Sequence, residues 1–307
     1  MIEKDYGYTT KKQLNMKLSD GAEIYIEYFD SKKPYTILFI HGGPGESCVS
    51  FSYFATFVSQ HFNVVMLDQR GVMRSHAESR PEYLTIIQVI KDFEEIRKLL
   101  DIEKWFILGH SFGGYIAMRY VLSFPESIQG VIYENPCFDI EHSLCAIIKE
   151  YIKYYDSIGD CEKKQKTENI LLINDIVRKF DAIIAFPDLD RKRVFKSEAI
   201  TAKCRECYDA SLINAEAIER CVQHYNVIKF DKSLKNEYLS KLEKVARPSL
   251  LIQGEKDPML PSEDKKQWLR NPIFSTITVA DVGHYVHSDA PEIMAEILYE
   301  YINDTIN

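Results

Sequence analysis

Ser111 sits in Gly109-His110-Ser111-Phe112-Gly113, a G-x-S-x-G pattern. The apolar run Trp105-Phe106-Ile107-Leu108 precedes it, and Ile116, Ala117, Tyr120, Val121 and Phe124 follow at helical spacing. A serine on such a strand-to-helix turn is a nucleophile elbow. A side chain at position 109 or 113 would meet the adjoining strand or helix, and the two glycines remove that bulk from a strained turn. A serine hydroxyl is nearly inert at neutral pH, so it needs a general base and a group that orients the base. The base candidate is His284, in Asp281-Val282-Gly283-His284, with His287 as its rival. The acid candidate is Asp257, in Gln253-Gly254-Glu255-Lys256-Asp257-Pro258, with Glu255 as its rival. His41-Gly42-Gly43-Pro44 closes another apolar run. There the N–H of Gly43, paired with that of Phe112, would aim two donors at a developing oxyanion.

The elements that must hold these residues follow from periodicity. Leu14–Leu18 and Ala22–Phe29 read as an antiparallel pair around Ser19-Asp20-Gly21. Tyr35–Ile40, Asn63–Leu67, Trp105–Leu108, Ile128–Tyr133, Pro248–Gln253 and Thr276–Ala280 read as further strands. Helices are predicted over Cys48–Gln60, Ile86–Leu100, the segment after Ser111, and Pro291–Ile306. This alternation gives an α/β fold, a mostly parallel sheet with helices on both faces. The rhythm stops at Pro136 and resumes near Pro248. The expected domains are therefore a core of residues 1–135 and 247–307 and a helical cap insertion of residues 136–246. One stripe of that insertion runs Leu144, Ile147, Ile148, Tyr151, Ile152, Tyr155, and another Ile170, Ile173, Ile176, Val177, Phe180. Leaving after one strand and returning before the next, the insertion should lie over the strands' carboxyl ends, where open α/β sheets bind ligands.

His41-Gly-Gly-Pro-Gly45, Leu67-Asp-Gln-Arg-Gly71 with Ser75, and Gly109-His-Ser-Phe-Gly113 together resemble the α/β-hydrolase superfamily. Within it the chain is similar to the prolyl aminopeptidase (proline iminopeptidase) branch, over roughly residues 20–135 and 247–305. The resemblance implies a Ser111–His284–Asp257 triad and an oxyanion hole at Gly43 and Phe112. It also implies cleavage of an N-terminal residue, proline preferred, from small peptides, without a cofactor. Two departures are Met73, where the family usually has a glycine, and an elbow shared with esterases, lipases and C–C hydrolases. A carboxylesterase, lipase-like enzyme or C–C hydrolase is thus the alternative. A non-catalytic binding protein of the same fold is the third reading, opposed by the presence of Ser111, Asp257 and His284.

Glu134, at the end of the Ile128–Tyr133 strand, has three readings: a solvated hinge, an anchor for a substrate ammonium, or a second acid behind His284. His41 reads as structural, and Asp68 and Arg70 as fixing their loop. Cys204-x-x-Cys207 with Cys221-x-x-His224 has zinc-like spacing, but the residues fit amphipathic helices, and no metal is expected. A net charge of −8 without a basic face argues against nucleic acid. No apolar stretch approaches a membrane span. Seven cysteines, an odd number, do not suggest a disulfide framework, and the expectation is a reduced, cytoplasmic setting. The expected partner is a small-molecule or short-peptide substrate.

Overall fold

Continuous apolar runs form the middle of the sheet. The structure is a computed structural model, which describes residues 4–5, 10–77, 84–185, 195–197, 200–235 and 239–306. Its strands are β1 (Lys4–Asp5), β2 (Thr10–Lys17), β3 (Glu23–Asp30), β4 (Thr36–Ile40), β5 (Asn63–Leu67), β6 (Trp105–His110), β7 (Ile128–Glu134), β8 (Ser249–Gly254) and β9 (Phe274–Val279). They form one sheet in the order β1-β2-β3-β5-β4-β6-β7-β8-β9. Pairing is antiparallel from β1 to β5 and parallel from β5 onward. β4, β5 and β6 are buried along their whole length. That matches strands covered on both faces, which need no polar alternation.

Successive side chains of a strand point to opposite faces. Leu38, Ile40, Val65, Leu67 and Ile107 join one core, and Ile37, Phe39, Val64, Met66, Phe106 and Leu108 join the other. The first core is closed by α2 (Ile86–Leu99) and α3 (Phe112–Ser123). The second is closed by α1 (Ser52–Val58) and a long helix at Pro291–Ile306. The expected α/β architecture is therefore present. The Leu14–Leu18 and Ala22–Phe29 pair is β2 and β3, with Leu14 opposite Ile26 and Gly21 in the turn at φ +93°. The helix expected at Cys48–Gln60 begins instead as a 3-10 turn over Cys48–Phe51, capped by the Ser47 hydroxyl.

Between β7 and β8 the described residues carry α4 (Ile140–Ser157), α5 (Cys161–Leu171), α6 (Ile176–Ile184), α7 (Ala202–Glu206) and α8 (Ala215–Ile228). The second apolar stripe read from the sequence is not one helix. α5 ends at Leu171 and α6 begins at Ile176, where the Asp175 carboxylate caps the N–H of Arg178. An N-cap aspartate starts a helix rather than continuing one, and it outweighs the periodicity. This segment packs on the core through apolar side chains such as Ile140, Leu144 and Ile148, and hydrogen bonds add to that contact. Tyr115 Oη donates to the Ser233 carbonyl (2.7 Å), the N–H of Ile86 donates to Asp231 (2.8 Å), and Arg220 Nε donates to the Met73 carbonyl (2.8 Å). None of the described helices is long and apolar enough to cross a membrane.

Candidate active site

Four loops at the carboxyl ends of β4, β6, β8 and β9 converge. The first contribution is Ser111, between β6 and α3, with φ +55° and ψ −122°. This is a sparsely populated backbone region for a residue with a side chain, and the surroundings hold it there. The N–H of Ser111 donates to the Glu134 carbonyl (3.0 Å), and its own carbonyl accepts from Gly114 and Cys137 (both 2.9 Å). A Cβ on Gly113 would lie 2.2 Å from the Ile40 carbonyl oxygen, and one on Gly109 would lie 2.6 Å from that of Gly113. Gly113→Ala is therefore expected to destabilise the fold by about 3 kcal/mol, since backbone cannot move aside as a side chain can. Urea unfolding measures this, and an unchanged midpoint would contradict the packing.

The second contribution is the loop after β9. His284 Nδ1 donates to Asp257 Oδ1 (2.8 Å), and both side chains are buried. The N–H of His284 donates to the Phe195 carbonyl (2.8 Å), and the Phe195 ring stacks on the imidazole with centroids 4.7 Å apart. Burial pulls the proton affinity of His284 down, but the charge of Asp257 and its hydrogen bond outweigh this, and the pKa lies above the ordinary histidine value. Glu46 and Glu134 add to the same effect. Among the described residues Ser111 Oγ and His284 make no mutual hydrogen bond. A serine–histidine contact of this kind commonly tightens only once substrate is bound.

The third contribution is the loop after β4. Gly43 has φ +115°, and a Cβ there would lie 2.5 Å from the N of Gly45. Gly42 lies against the serine, since a Cβ on it would be 3.0 Å from Ser111 Cβ. Phe112 opens α3, so its N–H is among the helix donors that no carbonyl of the same helix takes. His41, fully buried, accepts from the N–H of Gln69 at Nε2 (3.0 Å) and meets the Gly42 carbonyl at Nδ1 (3.0 Å). It fixes the loop. Asp68 accepts from Ser47, Cys48 and Arg74, and Arg70 pairs with Asp92 and Asp20. A small pocket opens beside Phe112 and Pro44, lined also by Ile140, Ile176, Val177, Phe180, Leu234 and Lys229. The Lys229 ammonium is bonded to Asp181 (2.7 Å).

The expectation of a substrate anchor at Glu134 needs correction. Its carboxylate is fully buried, and both oxygens lie within 2.9 Å of His287 Nδ1, with Oε1 also accepting the His287 N–H. The last residue of a central strand faces the protein interior here, so a substrate ammonium has no route to it. The same bond occupies His287, the rival base, whose ring also lies against Phe39, Phe51 and Phe54. Glu255, the rival acid, is exposed and accepts from the N–H of Asp281 (2.9 Å). His110, Glu134 and His287 bring one ligand-type atom each within 4.8 Å of one another, but the carboxylate is already engaged by His287. In the zinc-like set, Cys204 Sγ donates to the Val49 carbonyl, Cys221 Sγ accepts from Met73, and His224 Nδ1 meets the Arg70 carbonyl. Each has its own partner in a different place.

Asn135 is a site residue that the sequence reading missed. It has φ +41°, donates from Nδ2 to the carbonyls of Gly283 (3.0 Å) and His284 (2.8 Å), and accepts from the N–H of Gly254 (2.9 Å). One buried amide thus ties the loop that holds Asp257 to the loop that holds His284. Asn135→Ala leaves these groups without partners, at about 1–3 kcal/mol for a buried group. A loss of about 3 kcal/mol in urea unfolding, with kcat reduced at least tenfold, is expected. Wild-type kcat in this variant would remove the positioning role.

A serine on a strained elbow, a buried carboxylate–imidazole pair and a glycine loop against the serine thus share one sheet edge. Residues 35–156 match the α/β-hydrolase fold family. The chain is 25% identical, over 95% of its own length and 95% of the other's, to the proline iminopeptidase of Neisseria gonorrhoeae. Its fold is that of the α/β hydrolases. Among solved structures, the chain superposes on a proline iminopeptidase-related protein of Thermus thermophilus with a TM-score of 0.66 at 18% identity, covering 95% of this chain and 97% of that one. It also superposes on an esterase of Exiguobacterium antarcticum, with a TM-score of 0.64 at 17% identity, covering 94% and 98%. At these identities the structural likenesses speak for the fold alone.

Proposed function

We propose that this hydrolase works through an acyl-enzyme on Ser111, as an aminopeptidase of the prolyl aminopeptidase type acting on short peptides. The observation that carries the proposal is the buried Asp257–His284 pair beside a serine held at φ +55°. In this reading His284 takes the Ser111 proton as Oγ attacks the substrate carbonyl, and then gives it to the leaving amine. The N–H groups of Gly43 and Phe112 stabilise the oxyanion, and Asp257 holds the imidazole and its charge. Water then repeats the sequence and frees the acid. Residues 136–246 act as a cap over the serine, which is only 6% exposed. A closed site of that kind admits a small substrate and excludes a long folded chain.

The peptidase assignment rests on the similarity to the Neisseria enzyme along nearly the whole chain. The small pocket beside Phe112 has a mostly apolar lining, which matches a proline ring in character. It suits a short acyl chain equally, and this favours the esterase as the second reading. A panel of proline, alanine and leucine anilides against short and medium acyl esters separates the two. Proline anilide is expected to give the highest kcat/KM among the amides. Turnover of esters with no detectable amide cleavage would overturn the peptidase reading.

A further inference from the structure

β6 and β7 end side by side, with His110 opposite Glu134. Glu134 reaches both halves of the site. Its carbonyl accepts the N–H of Ser111 (3.0 Å), and its carboxylate accepts the N–H of His287 (2.9 Å) and the proton on His287 Nδ1 (2.8 Å). His287 lies in the short helical turn Val286–Asp289, directly after the loop of His284. One residue thus holds the serine's turn by its main chain and the imidazole's loop by its side chain. Neither carboxylate oxygen bonds to His284 itself.

The partners of the neighbouring imidazoles fix where their protons sit. His287 Nε2 is buried without a hydrogen-bond partner, so a second proton there would be an unmet donor, and the ring carries its one proton on Nδ1. His110 Nε2 lies 3.1 Å from the His284 carbonyl, which only accepts, so its proton sits on Nε2. Burial first, and then the closeness of His284 and His287, hold the pKa of His110 well below the ordinary histidine value. The His110 ring lies 4.7 Å from that of His284 and 5.1 Å from that of His287, centroid to centroid. The charge of Glu134 is therefore not cancelled by its partner. The groups facing His284 are the carboxylates of Asp257, Glu46 and Glu134 and the rings of His110, Tyr285 and Phe195.

We propose that Glu134 is a positioning residue of this site: it fixes Ser111 and the loop of His284 to one another, and it places a buried negative charge near the imidazole without touching substrate. The inference rests on the reading of Ser111 as nucleophile and His284 as its base. When His284 takes the serine proton it becomes a buried cation, which water does little to solvate. A buried carboxylate with no cation of its own stabilises that charge across the few ångströms between them, because the intervening medium screens poorly. His110, with its lowered proton affinity, does not compete for the proton.

The test follows the rate at which a fluorophosphonate labels Ser111 as a function of pH, a readout independent of substrate identity. Glu134→Gln keeps an acceptor for the His287 N–H and removes the charge. Its labelling midpoint should fall about half a unit to one unit below that of the wild type, and its plateau rate about tenfold. Glu134→Asp keeps the charge and shortens the reach to His287. Its plateau rate should fall while its midpoint moves by less than about 0.2 units. A purely structural role would lower both plateaus and move neither midpoint, and that result overturns the proposal, as does a wild-type rate in Glu134→Gln. A second measurement needs no variant and stands even if Glu134→Gln fails to fold. In nitrogen-15 NMR of histidine-labelled wild type at about pH 7.5, His287 should be protonated on Nδ1 alone and His110 on Nε2 alone. A His287 protonated on both nitrogens would cancel the charge of Glu134 and overturn the proposal. Label on Ser111 with an unmoved midpoint in Glu134→Gln rejects Glu134 alone. A wild type without label on Ser111 rejects the nucleophile reading, and this inference with it.

Discussion

Ser111→Ala is expected to lower kcat about 10⁶-fold, the scale found when a triad nucleophile is removed. The loss is larger than that of any binding contact because the reaction would have no covalent path left. In the proposed mechanism, what would remain is the stabilisation that the N–H groups of Gly43 and Phe112 give to a direct attack by water. The backbone gives no reason for collapse. Alanine at φ +55° carries the same Cβ as serine, and the bonds that hold the turn are made by main-chain atoms of Ser111. The melting temperature should therefore stay within a few degrees while activity disappears. A fluorophosphonate probe should label the wild type once, at Ser111, and leave the variant unlabelled. Robust turnover by the alanine variant, or label on another serine, would reject the serine-hydrolase proposal.

What could be read in the chain and what could not divide on physical grounds. The elbow announces itself because steric exclusion by the carbonyls of Ile40 and Gly113 permits only glycine at positions 113 and 109, and glycine is visible as a letter. The central strands announce themselves because burial on both faces requires unbroken apolar runs, as in Thr36–Ile40 and Asn63–Leu67. Glu134 was misread because its meaning depends on which way the last residue of β7 faces, and on a histidine 153 positions further along the chain. Asn135 gave no signal for the same reason: its partners, Gly254, Gly283 and His284, are brought to it by the sheet and not by spacing. The break between α5 and α6 was hidden by apolar residues that kept helical phase across Asp175, so a local cap defeated a regional pattern.

Asp257→Asn is expected to lower kcat about 10⁴-fold, as when the acid of a serine–histidine–aspartate triad becomes an amide. The amide is nearly isosteric, so the fold should persist, and the effect arises from the imidazole. An asparagine can present its NH₂ to Nδ1 and turn the ring to the tautomer that carries its proton on Nε2, which cannot accept from Ser111. It also removes the charge that favours the imidazolium formed during attack. The pH profile separates this from a general loss of structure. Burial alone would lower the pKa of His284, and the charge and hydrogen bond of Asp257 reverse that. Only neutral imidazole accepts the serine proton, so wild-type activity should fall as pH drops through a midpoint above the ordinary value of about 6.5. In Asp257→Asn the reversal is gone and burial remains, so the residual activity should keep its plateau to a lower pH than the wild type. Glu255→Gln, at the exposed rival carboxylate two residues earlier, should change kcat by less than about threefold and leave that midpoint in place. If the two variants exchanged these behaviours, Glu255 would be the orienting acid; if neither moved the midpoint, His284 would not be the group whose protonation limits the reaction.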